Sequence, residues 1–113
     1  MLDLFDKNNV QKTLLEEKDI DFTENYLKLP NGFMMVYTRV FFKPGEEMVN
    51  VKFPIPFKEV YRTFSIHQYA TEKYGFSCTG RSTLTDCDVY DKNLETGFSN
   101  ERSSTLVVIG RYK

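Results

Sequence analysis

Residues 33–43 are apolar on both faces of an extended chain, and few folds can hold such a segment. The even positions Met34, Val36, Thr38, Val40 and Phe42 make a stripe fit for a core face, and the odd positions Phe33, Met35, Tyr37, Arg39 and Phe41 are nearly as apolar. Side chains alternate between the two faces of a strand, so the two sets need separate apolar surroundings. A strand of this kind either lies centrally in a sandwich or carries a subunit interface on its second face.

The segments around it keep the same period of two from Tyr26 onward. Residues 26–29 read as a short strand, turned by Pro30-Asn31-Gly32 into the long one. Pro44-Gly45-Glu46-Glu47 is a second turn, and residues 48–53 follow as a strand with Val49, Val51 and Phe53 on one face. Pro54-Ile55-Pro56-Phe57 lacks two N–H donors, so it reads as a bend carrying Ile55 and Phe57 into the core. Residues 59–69 form the next strand, with Val60, Phe64 and Ile66 pointing one way. Residues 71–82 read as the longest polar connection, hinged at Gly75 and Gly80. Strands over 83–90, 97–100 and 104–112 complete the set. Seven or so short strands, with turn signals roughly every 8–12 residues, predict an all-β fold: a small antiparallel β-sandwich.

Ahead of it, residues 1–25 form a different kind of segment. They carry three lysines against seven acids, a net charge of −4, while residues 26–113 carry +3. Residues 8–18 read as a short helix capped by Asn8, with Gln11 in the capping-box position and a narrow apolar face at Val10 and Leu14. Such a helix is marginal alone in water and needs a partner. The organisation expected is therefore a helical arm over 1–25 and a sandwich over 26–113. With 113 residues there is room for one core. No apolar run approaches the ~18 residues of a membrane helix, and residues 1–6 lack the regions of a signal peptide, so neither export nor membrane insertion is expected. A body this weakly basic gives no case for nucleic acid.

Catalytic signatures are missing. His67 is the only histidine, and no nucleophile motif, P-loop or dinucleotide-binding motif is present. The plain reading of His67 is a half-exposed strand residue with a satisfied ring nitrogen; the sharper one places three copies around an ion on a three-fold axis. Asp86, Asp88 and Asp91 cluster with Tyr90. Paired carboxylates serve glycoside hydrolysis at separations of roughly 5–10 Å, but on a strand edge they more simply keep that edge soluble. Neither an enzyme nor a cofactor is expected. Cys78 and Cys87, nine positions apart, match no zinc pair or redox motif and read as reduced, half-buried thiols.

Binding is better supported. Tyr69, Tyr74, Phe76, Tyr90 and Phe98 stand near loop ends beside Lys73, Arg81, Asp88 and Asp91. Aromatic faces stack on the C–H surfaces of sugars, while carboxylates and guanidinium groups take hydroxyls. The candidate ligand-binding residues are Tyr69, Tyr74, Arg81, Asp88, Tyr90 and Asp91, with Phe76 and Phe98 assigned to the core.

Four segments carry a resemblance: Tyr26-Leu27-Lys28-Leu29-Pro30-Asn31-Gly32 with the apolar strand after it; Val51-Lys52-Phe53-Pro54-Ile55-Pro56-Phe57; Thr96-Gly97-Phe98; and Val107-Val108-Ile109-Gly110. In this order and spacing, over about residues 24–113, the chain resembles the C-terminal domain of phage and prophage tail-fibre proteins. That family is similar in pattern to the H-type lectins. Tyr37-Thr38 stands where the family usually has Trp-Gly, and no ligand residue is carried over by motif. The resemblance implies a homotrimer at a fibre tip that touches a host-surface polysaccharide or protein. Phe33, Met35, Tyr37 and Phe41 would then form the trimer interface, and Gly110 would admit a neighbouring backbone or ring. It further implies a place in the virion tail, assembled in the host cytoplasm, with the arm meeting other tail proteins. The chain would be either a piece of a longer fibre or a separate tip. The alternatives are a tail adaptor or fibre-assembly protein without glycan binding, and a glycan-degrading enzyme on the same sandwich.

Overall fold

The computed structural model describes residues 21–22, 25–68 and 75–113. The expected helix over 8–18 lies outside them, and the described residues contain no helix. Eight strands follow in order: β1 (Asp21–Phe22), β2 (Tyr26–Lys28), β3 (Phe33–Phe42), β4 (Met48–Lys52), β5 (Glu59–His67), β6 (Gly75–Ser82), β7 (Asp86–Asn93) and β8 (Arg102–Arg111). They form two antiparallel sheets, a larger one in the order β1-β2-β3-β8-β5 and a smaller one in the order β4-β7-β6. This is the expected all-β, two-sheet architecture.

The long two-faced strand is central, as its composition requires. β3 pairs with β8 over its whole length, from Phe33 opposite Arg111 to Phe42 opposite Arg102. Its even positions Met34, Val36, Val40 and Phe42 are buried, and they pack with Leu106 and Val108 of β8 and with Phe53, Phe57, Cys87 and Val89. Each such side chain contributes roughly 1.5–3 kcal/mol by leaving water. The entry to β3 is a tight turn in which Gly32 adopts φ 101°, a conformation that costs a side chain-bearing residue. Phe33 donates its N–H to Asn31 Oδ1 at 3.0 Å there. Gly110 has the role expected of it, since a Cβ at that position would overlap the Glu59 carbonyl and stand 2.9 Å from the Phe57 ring.

Three expectations are corrected. First, Val60, Phe64 and Ile66 do not point the same way. Val60 pairs with Gly110 and Arg62 with Ile109, which leaves Tyr61 as an extra residue in a bulge. One extra residue exchanges the faces of everything beyond it. Val60 packs on the core, whereas Phe64 and Ile66 face outward and Thr63, Ser65 and His67 face the smaller sheet.

Second, the polar stretch before residue 82 is no connection along its second half. It is β6, whose inward positions are Ser77 and Thr79. Thr79 meets Thr63 hydroxyl to hydroxyl at 2.8 Å and Ser77 meets Ser65 at 2.7 Å, so this side of the sandwich is joined by side-chain hydrogen bonds. Third, residues 97–100 are a turn. Asn93 Oδ1 accepts the N–H groups of Glu95 and Thr96 at 2.8 and 2.9 Å, and Gly97 makes a single bridge back to Asn93. Both cysteines are free thiols, Cys78 exposed on the outside of β6 and Cys87 buried on the inside of β7.

Candidate functional site

The register of the smaller sheet decides which side chains meet on its outer face. β4 and β7 set Met48 opposite Tyr90, Asn50 opposite Asp88 and Lys52 opposite Asp86. β6 and β7 set Cys78 opposite Tyr90 and Phe76 opposite Lys92. Alternation turns Val49, Val51, Cys87 and Val89 toward the core and leaves these side chains outside. The face therefore has a polar half and an aromatic half.

In the polar half, the Asn50 amide donates to Asp88 Oδ1 at 2.8 Å and to Asp86 Oδ2 at 3.3 Å. The Arg81 guanidinium lies 3.8 Å from Asp86 and 3.9 Å from Asp88, and Lys52 Nζ lies 3.5 Å from Asp86. The Arg81 side chain is 66% exposed, so it can reach a ligand without leaving the sheet. The Thr83 hydroxyl donates to Asp86 Oδ1 and accepts the N–H groups of Thr85 and Asp86, both at 3.1 Å. The bond from Thr83 holds the Asp86 carboxyl below the ordinary carboxylate range; burial opposes it, and Asn50, Arg81 and Lys52 add to it.

In the aromatic half, a depression of about 230 Å³ has Glu47, Phe76, Cys78, Tyr90, Lys92 and Phe98 among its walls. Phe76 was expected in the core and is 51% exposed instead. Its displacement follows from β6 being a strand: position 76 has the outward parity. Phe98 is half-buried, with the Arg102 guanidinium 5.5 Å from its ring centre.

Of the six residues read from the sequence as ligand-binding, Arg81, Asp88 and Tyr90 share this face. Tyr69 and Tyr74 lie outside the described residues. Asp91 is corrected. It has the opposite parity to Asp88 on the same strand, so it points between the sheets and is 1% exposed. Ser104 donates to its carboxylate at 2.6 Å, His67 Nδ1 at 2.8 Å, and Arg102 Nε lies 3.3 Å away. Arg102 also donates to the carbonyls of Phe98 and Asn100, at 2.9 and 2.8 Å, and of Glu46. This buried cluster ties β5, β7 and β8 to the two adjoining turns.

His67 thus has its satisfied ring nitrogen, but it is almost wholly buried rather than half-exposed, with its ring between the sheets. The Ser104 hydroxyl is directed at Asp91 and at Ser77, 2.9 Å away, and not at the imidazole. No group of three or more His, Cys, Asp and Glu side chains among the described residues is placed to hold a metal ion. Asn50, Lys52 and Met48 were not singled out from sequence; only the β4–β7 register reveals them.

The larger sheet has a contrasting outer face. Phe33, Met35, Tyr37 and Phe41 stand there together, and the register adds Val107 and Ile109 of β8 with Phe64 and Ile66 of β5. Phe41 is 68% exposed and Ile66 55%.

Two antiparallel sheets, one of five strands and one of three, around an apolar core and a buried ion-pair cluster define a small β-sandwich-like domain. This fold is shared with pyocin tail fibres. The chain is similar to an N-truncated R2-type pyocin tail fibre, at 14% identity and a TM-score of 0.64 over 81% of this chain and 36% of that one. It is similar to a C-terminal portion of the R2 pyocin fibre of P. aeruginosa, at 14% identity and a TM-score of 0.64, covering 81% of this chain and 25% of that one. It is also similar to an N-truncated R1-type pyocin tail fibre, at 15% identity and a TM-score of 0.63, covering 80% and 83%. The chain thus spans about a third of the first of these fibres and a quarter of the second. No protein-family model matches the sequence, and no curated protein matches it. At these identities the likeness establishes the fold.

Proposed function

We propose that this domain is a receptor-binding part of a phage tail fibre or a related tail-like particle, a homotrimer that meets carbohydrate on the host surface. The observation that carries the reading is the contrast between the two outer faces. The face of β3, β8 and β5 presents Met35, Tyr37, Phe41, Phe64, Ile66, Val107 and Ile109 together, beside Arg39 and Arg62; Phe41, Phe64 and Ile66 are exposed, and clustered exposed apolar side chains of this kind mark contact sites. Two further copies around a three-fold axis would cover it, with Phe33, Met35, Tyr37 and Phe41 in the contact. The face of the smaller sheet instead combines Tyr90 with Arg81 and Asp88, the groups that stack on sugar rings and bond hydroxyls in pairs. Three such faces on one rigid body would bind a repetitive polysaccharide by multivalency, each contact being weak. The fold shared with pyocin tail fibres favours this reading, and with it a place in a tail where residues 1–25 meet other tail proteins after assembly in the host cytoplasm.

The proposed role is recognition without catalysis. The exposed Phe76, Met48 and Leu94 favour a second reading, a tail adaptor whose aromatic half meets protein. An array of bacterial surface polysaccharides separates the two. Retention of the wild type, lost in Tyr90→Ala and in Arg81→Ala, is expected. Retention unchanged in both variants would remove the assigned face, and no retention at all would transfer the lead to the adaptor.

A further inference from the structure

Within the proposed recognition face, the position of Tyr90 depends on a residue that has no side chain. A Cβ built on Gly80 would stand 2.6 Å from Tyr90 Cε2, 3.4 Å from Cδ2 and 3.5 Å from Cζ. A ring lying flat on that point would hold its three atoms at nearly equal distances. One near atom flanked by two farther ones is the pattern of an edge aimed at it. Tyr90 is paired with Cys78, not with Gly80, so its ring leans diagonally across β6 and its edge takes the space a side chain would fill. The lean is into the irregular stretch between Thr79 and Ser82, where the pairing with β7 shifts register. It sets the ring edge beside residue 80, the neighbour in sequence of Arg81.

We infer that Gly80 is a positioning residue of the recognition face: it seats Tyr90 so that one aromatic ring borders both the depression walled by Phe76 and Cys78 and the Arg81–Asp88 pair. The ligand class is a pyranose whose apolar C–H side lies against Tyr90 while its hydroxyls meet Arg81 and Asp88, which rests on the function proposed above. An added methyl group at 2.6 Å cannot be absorbed by ordinary van der Waals contact. In Gly80→Ala the ring edge has to shift away from β6, which alters the shared wall while the buried core is untouched.

The seat is read directly by a nuclear Overhauser contact between Gly80 Hα and the Tyr90 Hε protons. The same polysaccharide array then compares wild type, Gly80→Ala and Tyr90→Ala, with thermal melting of each as a check on folding. The contact should be present in the wild type, and both variants should lose at least tenfold in retention with melting close to wild type. Absence of the contact overturns the seat whatever the variants do. Loss of retention in Tyr90→Ala but not in Gly80→Ala overturns the positioning role and leaves the functional reading standing. A wild type that no polysaccharide retains overturns both.

Discussion

Asp91 shows how much depends on one residue's parity. Its carboxylate accepts from Ser104 and His67 and is the counter-ion of Arg102. Removing it leaves the wholly buried Arg102 guanidinium without a counter-charge. Breaking a buried pair in this way costs about 3–5 kcal/mol, so Asp91→Ala should shift urea unfolding by that amount, whereas Asp88→Ala, on the outer face beside a mainly exposed Arg81, should cost less. The two thiols differ for the same geometric reason. Cys78 should react with a thiol reagent in the native protein, and Cys87 only as fast as the domain opens. Burial, first, and the Asp88 charge push the Cys87 thiol up. Its contribution to stability is therefore present in full below the ordinary thiol value of about 8.5 and is lost as pH rises through it toward the raised folded value. Replacing Cys87 with Ala should flatten the alkaline limb of a stability profile.

At the scale of the element, the β6–β7 turn offers a matching test on the acid side. Thr83 lowers the Asp86 carboxyl in the folded state. That stabilisation is complete above the ordinary carboxylate value of about 3.9 and disappears as pH falls through the depressed folded value. Thr83→Ala should therefore raise the midpoint of acid unfolding, measured by circular dichroism. Gly110→Ala should be severe, because the atom in the way is the backbone of β5 and not a movable side chain; a loss of about 1–3 kcal/mol or more is expected in denaturant unfolding. These elements were unequally legible. β3 was readable to within a residue because hydrophobic alternation marks a strand whose two faces have different surroundings. β6 was not, because its inward positions are Ser77 and Thr79, and a sheet joined by hydroxyl pairs leaves no apolar alternation to read. The extra residue at Tyr61 left no composition signal either, and it alone exchanged Phe64 and Ile66 from core to surface. Half of the candidate site was visible as residue types, since Arg81, Asp88 and Tyr90 do share a face. Asp91 was misplaced because proximity in sequence says nothing of parity.

At the scale of the whole molecule, the described residues present two different outer faces, one mainly apolar and one half polar and half aromatic. If the apolar one is an interface, light scattering over a hundredfold concentration range should give a constant mass near three times 13.3 kDa. Phe41→Glu and Ile66→Glu should each lower it toward the monomer without loss of strand content, since both side chains are mainly outside the core. A constant monomer mass in the wild type would mean that the face serves some other contact. The pairing of β8 carries a different consequence. It lies between β3 and β5, and both are made before it. During synthesis each of those strands waits with an open edge, and the domain cannot begin to close until residues 102–111 have left the ribosome. Folding must then join partners some 40 to 80 positions apart, a slow kind of search. The interval when β3 lacks its β8 partner, apolar on both sides, is when chaperones or sister chains on neighbouring ribosomes decide between assembly and aggregation.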